Sequence, residues 1–133
     1  MTHTSPLTVV ASFVDCINRG DAAGLGALMT DDHELRVFDE APLCGKDANV
    51  DAWRGYAAAF PAYTIVAAEV VERAGSVAVL GHTTGSHLGL PAEEEQALML
   101  IWVAEVSGGL VRSWTLVEDT PAARREWGLR RGS

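Results

Sequence analysis

From Tyr63 onward the spacing of apolar residues changes from helical to extended, and this switch limits the possible folds more than any other feature of the chain. YTIVAAEVVER, SVAVLGHTTGSH, QALMLIWVAEV and LVRSWTLVED are four β-rich runs, separated by Ala74-Gly75-Ser76, by Leu88 to Glu95 and by Ser107-Gly108-Gly109. Connections this short predict consecutive antiparallel strands. The last two runs make a hairpin over 97–119 whose arms carry one tryptophan each, Trp102 and Trp114. A three-residue Ser107-Gly108-Gly109 loop would pair Val106 with Leu110 and Trp102 with Trp114, placing both indoles on one face with Leu98, Leu100, Leu116, Arg112 and Glu118. A two-residue Gly-Gly turn would put them on opposite faces. The first register is preferred because it stacks the large residues together. In either register Met99, Ile101, Val103, Val111, Thr115 and Val117 form a second apolar surface. A face of this size left in water predicts a homodimer built sheet to sheet.

Ahead of Tyr63 the pattern is mainly helical. Ser5-Pro6 pairs a capping hydroxyl with a proline at the first helical position, and Leu7, Val10, Ala11, Val14 and Ile17 follow at three- and four-residue spacing up to Gly20. Asp21 caps a second, short helix burying Leu25, Leu28 and Met29, and HELRVFD alternates as a short strand. After a loop with Pro42 and Gly45, Asp47 is the expected cap of a third helix with Val50, Trp53, Ala57 and Phe60 in one stripe, ended by Pro61. Thr120-Pro121 starts a last helix that holds Trp127 and stops at Gly128, and the tail after about 128 is expected to be disordered. Helices, a short strand, a helix and a four-strand meander predict one α+β domain over 1–133. Its expected form is a cone-shaped curved antiparallel sheet whose N-terminal helices enclose a pocket.

With 133 residues, 48% of them hydrophobic, the chain has enough material for one core. The formal net charge of -8 argues against a nucleic-acid partner, which would require a basic face. No stretch is apolar for long enough to span a membrane. MTHTSPL lacks the layout of a secretory leader, so Cys16 and Cys44 are expected to be reduced thiols and the location cytoplasmic. His33 and His82 have no ligand at metal spacing, so neither metal nor cofactor is expected.

In FVDCINRGDAAGLGALMTDD, Gly45-Lys46-Asp47, Gly85-Ser86-His87-Leu88-Gly89-Leu90-Pro91 and the Gly108-Gly109 turn with Trp114 and a closing acid, the chain resembles the SnoaL-like branch of the nuclear-transport-factor-2-like superfamily. That group includes polyketide cyclases, ketosteroid isomerases and limonene-epoxide hydrolases, and the resemblance spans about 7–127. It implies the cone fold and a small hydrophobic ligand. Catalytic patterns of these relatives transfer poorly. The isomerase positions fall on Phe13, on Val37 or Asp39, and on Trp102. The epoxide-hydrolase positions fall on Thr83, Gly85 and Leu116, and the cyclase acid on Leu100 or Ile101. Only the cyclase histidine has a counterpart, His87.

The candidate site residues are therefore few. Asp39 is a candidate general base in a cavity lined by Phe13, Trp53, Trp102, Trp114 and Leu116, where desolvation would bring it toward its working range. It has a bland alternative as a solvated loop carboxylate beside Glu40. His87 is a candidate proton donor, with a backbone-bonded rim histidine as the alternative. His82, five residues earlier, points to the opposite face of a regular strand. Tyr56, one helical turn after Trp53, can bring its hydroxyl to the cavity or serve as a core tyrosine. Arg112 and Glu118 share the tryptophan face, and Glu93-Glu94-Glu95 reads as a charge run that solvates a turn. These residues suggest a cofactor-free isomerase, cyclase or lyase acting on a carbonyl compound. The alternative is a non-catalytic binding or dimeric accessory module.

Overall fold

The structure is a computed structural model that describes residues 5–130. Helices α1 (Pro6–Arg19) and α2 (Ala22–Ala27) lead into β1 (Met29–Val37), a two-residue strand β2 (Leu43–Cys44) and α3 (Lys46–Ala59). Strands β3 (Thr64–Arg73) and β4 (Ser76–Thr84), a short α4 (Ala92–Ala97), the hairpin β5 (Leu100–Ser107) and β6 (Leu110–Glu118), and α5 (Pro121–Trp127) complete the chain. The strands form one curved, unclosed six-stranded sheet in the order β2-β1-β6-β5-β4-β3. All neighbours are antiparallel except β1 and β6, which run parallel. The α+β fold thus follows the sequence expectation. Met29, expected on α2, instead opens β1, and Gln96 and Ala97, expected in a strand, close α4.

Local chemistry sets the helix ends. Ser5 Oγ accepts from the Thr8 N–H at 3.2 Å, Asp21 Oδ1 from the Gly24 N–H at 2.9 Å, and Thr120 Oγ1 from the Ala123 N–H at 3.1 Å. The cap of α3 is Gly45 rather than Asp47, which lies in the first turn. Long-range polar contacts then fix the helices to the sheet. Asn18 on α1 donates to the Ile65 carbonyl and accepts from the Ile65 N–H, tying the helix to edge strand β3. The Asn49 amide nitrogen lies 2.8–3.3 Å from the carbonyl oxygens of His33, Leu43 and Gly45, joining α3 to the β1–β2 connection.

The tryptophan hairpin takes a register that neither sequence alternative contains. Ser107 pairs with Leu110 across a two-residue Gly108-Gly109 turn, both glycines having positive φ, the turn type that suits the twist of a hairpin. Val106 then pairs with Val111 but Glu105 with Ser113, so Arg112 is an extra residue in a β-bulge. Beyond the bulge Trp102 pairs with Leu116 and Ala104 with Trp114. The two-residue turn alone would separate the indoles, and the bulge shifts β6 by one residue and reunites them. Both are buried in the main core with Phe13, Leu25, Met29, Val77 and Val79.

The opposite face is apolar too. Ala78, Leu80, Ile101 and Val103 form a second cluster, and Ala123, Trp127 and Leu129 from the C-terminal segment pack against it. The chain's own C-terminal segment thus covers part of the face on which the sheet-to-sheet homodimer was expected. At the start of the tail Leu129 is only 5% exposed, and the Arg130 N–H donates to Glu69 Oε1 at 3.0 Å. Residues 131–133 lie outside the described part. Among the described residues no helix is long and apolar enough to cross a membrane.

Leu129→Ala should lower the unfolding free energy by about 2–3 kcal/mol in urea titrations, the cost of emptying a buried leucine site, whereas a frayed tail would give almost no change. A pH effect is expected from His33, which is fully buried with Nδ1 2.7 Å from the Val111 carbonyl and Nε2 without a partner. Burial lowers its pKa, outweighing the Val111 carbonyl and the nearby Asp32 and Glu34, which raise it. The unfolded chain therefore takes up this proton at a higher pH than the folded chain. Stability should be full above about pH 6.5 and fall below it, by up to ~1.4 kcal/mol per pH unit from this group, until the folded value is reached. Urea unfolding between pH 5 and 8, compared with His33→Gln, measures this slope, which should be shallower in the variant.

Candidate functional site

One side of the sheet, together with α3 and the β4–α4 connection, encloses two adjoining spaces. The inner one, about 230 Å³, is bounded by Leu35, Val37, Ala52, Trp53, Trp114 and their neighbours. The outer one, about 820 Å³, is bounded by Phe38, Asp39, Glu40, Leu88, Leu98, Glu118, Asp119 and Arg124 among others. Val37, Tyr56, Tyr63, His87, Trp102 and Leu116 border both and form the neck between them. The polarity is graded along this axis. Among the described residues no charged side chain borders the inner chamber, and carboxylates gather at the mouth.

At the neck Tyr56 and His87 are in direct contact. Tyr56 Oη is 2.8 Å from His87 Nδ1 and accepts from the His87 backbone N–H at 3.1 Å. With that acceptor position filled, the phenol proton is directed to Nδ1, and the ring proton of a neutral His87 then sits on Nε2. Burial raises the Tyr56 pKa and the nearby Glu95 adds to this, while the His87 contact opposes it, so the group remains a phenol. Tyr63 stands edge-on to Tyr56 at 4.9 Å between ring centroids. His82 pairs with Val66 on the other side of the sheet, so His87 is the histidine of this pair that reaches the cavity.

The loop carrying His87 is held by a residue whose role the sequence pattern hid. Glu95, on the first turn of α4, is only 4% exposed, and its carboxylate accepts from Thr83 Oγ1 at 2.5 Å and from the Ser86 N–H at 3.3 Å. Burial pushes this carboxyl up, but the hydrogen bonds from Thr83, Ser86 and Gly85 outweigh it and keep the group below the usual carboxylate range. The run Glu93-Glu94-Glu95 is thus not a uniformly solvated turn, since its last member is a buried anion. The signal available in sequence was Pro91 followed by acids, the composition of a helix start. Gly85 makes the same loop possible: its φ is +64°, and a Cβ there would sit 2.6 Å from the Ala62 carbonyl oxygen.

Other candidates are spread along the cavity. Trp102 and Leu116 border both chambers, and Trp53 and Trp114 border the inner one. Phe13 is fully buried behind the chamber, its ring 4.9 Å from that of Trp114. Asp39 and Glu118 are exposed at the mouth, so of the two readings of Asp39 the fold gives the solvated carboxylate rather than one buried among the tryptophans. Arg112, bulged out of register, lies outside the cavity near Asp32, Glu34, Arg36 and Ser113. The cation at the mouth is Arg124, which binds Asp119 through two 2.6 Å contacts. Among the described residues no three His, Cys, Asp or Glu side chains converge as a metal site.

The sequence profile of the SnoaL-like domain matches residues 10–114. The chain belongs to the SnoaL-like domain family. No curated protein matches it in sequence. Among solved structures, this SnoaL-like chain is similar to a cystatin fold protein from Novosphingobium aromaticivorans, with TM-score 0.75, 17% identity and coverage of 86% of this chain and 99% of that one. It is also similar to an NTF2-like protein from Cytophaga hutchinsonii, with TM-score 0.70, 10% identity and coverage of 94% and 96%. A third is IdmH, a candidate polyketide cyclase from Streptomyces antibioticus, with TM-score 0.67, 19% identity and coverage of 92% and 99%. At these identities the likeness establishes a shared fold, and the SnoaL-like site must be read from its own residues.

Glu95→Ala would leave the Thr83 hydroxyl and the Ser86 N–H without their acceptor, and should cost about 2–3 kcal/mol in urea unfolding. Glu94→Ala, on the exposed side of α4, should stay within about 0.5 kcal/mol of wild type.

Proposed function

We propose that this SnoaL-like protein takes up a small hydrophobic molecule, seats its apolar part among Trp53, Trp102 and Trp114, and performs acid–base chemistry on a carbonyl group held at the neck. The observation that carries this reading is the Tyr56–His87 pair, bonded at 2.8 Å where an apolar chamber meets a carboxylate-lined one. Apolar walls with a few convergent polar groups are what small-molecule sites generally offer. In the neutral pair Nε2–H of His87 is a hydrogen-bond donor that can support a developing oxyanion on the carbonyl oxygen, and Tyr56 fixes the ring and its tautomer. Asp39, at the mouth, is the carboxylate available to take a proton from carbon. The reaction class is that of an isomerase, cyclase or lyase working with the chain's own side chains.

A second reading, a non-catalytic binder of the same ligand class, is favoured by one specific feature: the inner chamber has no carboxylate of its own, and Asp39 is exposed. The two readings separate in one experiment. Fused-ring ketones are incubated with the protein in deuterium oxide, binding is followed by tryptophan fluorescence, and exchange at the carbon next to the carbonyl is followed by NMR. The enzyme reading expects exchange above the buffer rate, reduced roughly 10²-fold or more by His87→Ala or Asp39→Asn, the usual scale of an acid–base contribution. Binding without exchange establishes the binder, and absence of both removes the proposal.

A further inference from the structure

Of the neck residues, Tyr63 differs from its neighbours in one respect. The Tyr56 hydroxyl is occupied by His87 at both its donor and acceptor positions. The Tyr63 ring borders both chambers and packs edge-on against Tyr56, yet no hydrogen bond to another described residue engages its hydroxyl. Burial pushes its pKa strongly up, and Tyr56 and Glu95 push it the same way, so the phenol stays protonated across the physiological range. A neutral O–H without a protein partner, at the boundary of an apolar chamber, is a donor available to a ligand.

The lining also limits the charge of that ligand. Asp39, Glu40 and Glu118 stand at the mouth, and among the described residues the cation lining it, Arg124, is engaged by Asp119. An anion entering past these carboxylates would meet like charge, with no unengaged cation among the described lining residues to offset it. The inner chamber accepts ring systems, since it is walled by aromatic and aliphatic side chains.

We infer that the ligand is an uncharged, ring-containing carbonyl compound lying across the neck, its rings in the inner chamber and its carbonyl oxygen accepting from the Tyr63 hydroxyl. This rests on reading the cavity as a small-molecule site. Tyr63 is then the residue that selects a carbonyl over a hydrocarbon of the same shape, because its donor is satisfied only by an acceptor on the ligand. The position carries a sequence signal as well: Tyr63 is two residues before Ile65, in phase with the inward side of β3.

The test compares fluorenone with fluorene, which has the same ring skeleton without the carbonyl, by equilibrium dialysis against the intact protein. Tyr63→Phe should lower the ratio of fluorenone to fluorene affinity roughly tenfold, the scale of one hydrogen bond at a desolvated site, while leaving fluorene affinity unchanged. Glu94→Ala, exposed on α4 and outside the cavity lining, should leave the ratio within about twofold of wild type. A ratio unchanged in Tyr63→Phe, or lowered equally in Glu94→Ala, overturns the assignment of Tyr63 while the cavity still binds ring compounds. Failure of the wild-type protein to bind either compound overturns the small-molecule reading and this inference together.

Discussion

The bulge at Arg112 is the constraint on which the rest of the molecule depends. A strand has two faces with a period of two, so one inserted residue exchanges them. The Gly108-Gly109 turn fixes the start of the β5–β6 ladder, and the inserted residue then brings Trp114 and Leu116 onto the side of Trp102. Without that shift the inner chamber would lose Trp114 and Leu116 to the opposite side. The bulge also turns Arg112 away from the cavity, toward the charged residues at the edge of β1. Because both faces of the hairpin are apolar, a second cover is required, and α5 with Leu129 supplies it. One irregularity in a ladder thus decides which residues become pocket wall and which become the seat of the C-terminal segment.

The site follows from how polar groups are distributed around that wall. Among the described residues nothing charged borders the inner chamber, where an unpaired charge would be costly. The one deeply buried carboxylate near the site, Glu95, is tolerated because hydrogen bonds from the His87 loop surround it. It acts as an anchor: it holds the segment that brings His87 to Tyr56, and it lies close enough to both neck tyrosines to favour their neutral forms. Two phenols and an imidazole thus meet between an apolar space and a mouth where Asp39, Glu40 and Glu118 are exposed.

How much of this was legible in the chain depends on the range of the interaction. Ser5, Asp21, Thr120, Gly20 and Gly128 end their helices through contacts a few residues away, and their positions were readable directly. The change of period at Tyr63 announced the strands, and the resemblance carried by the Gly85 to Pro91 segment pointed to His87. Glu95 was not legible as a buried anion, because the run Glu93-Glu94-Glu95 looks uniform and only the docking of α4 against β4 separates its last member from the others. Asp39 was legible as a carboxylate near the end of β1, but its exposure depends on the turn around Phe38, whose φ of 50° no local rule anticipated.

The sequence by itself therefore determined the fold class, most helix ends and the succession of strands, since each of these follows from local stereochemistry or from the period of the apolar pattern. The tertiary structure alone decided the register of the tryptophan hairpin, the parallel pairing of β1 with β6, the cover over the second face and the meeting of Tyr56, Tyr63 and His87. Each of these joins residues distant along the chain. A one-residue shift in a ladder, or the docking of one short helix, changes which side chains meet without altering the local pattern of any segment.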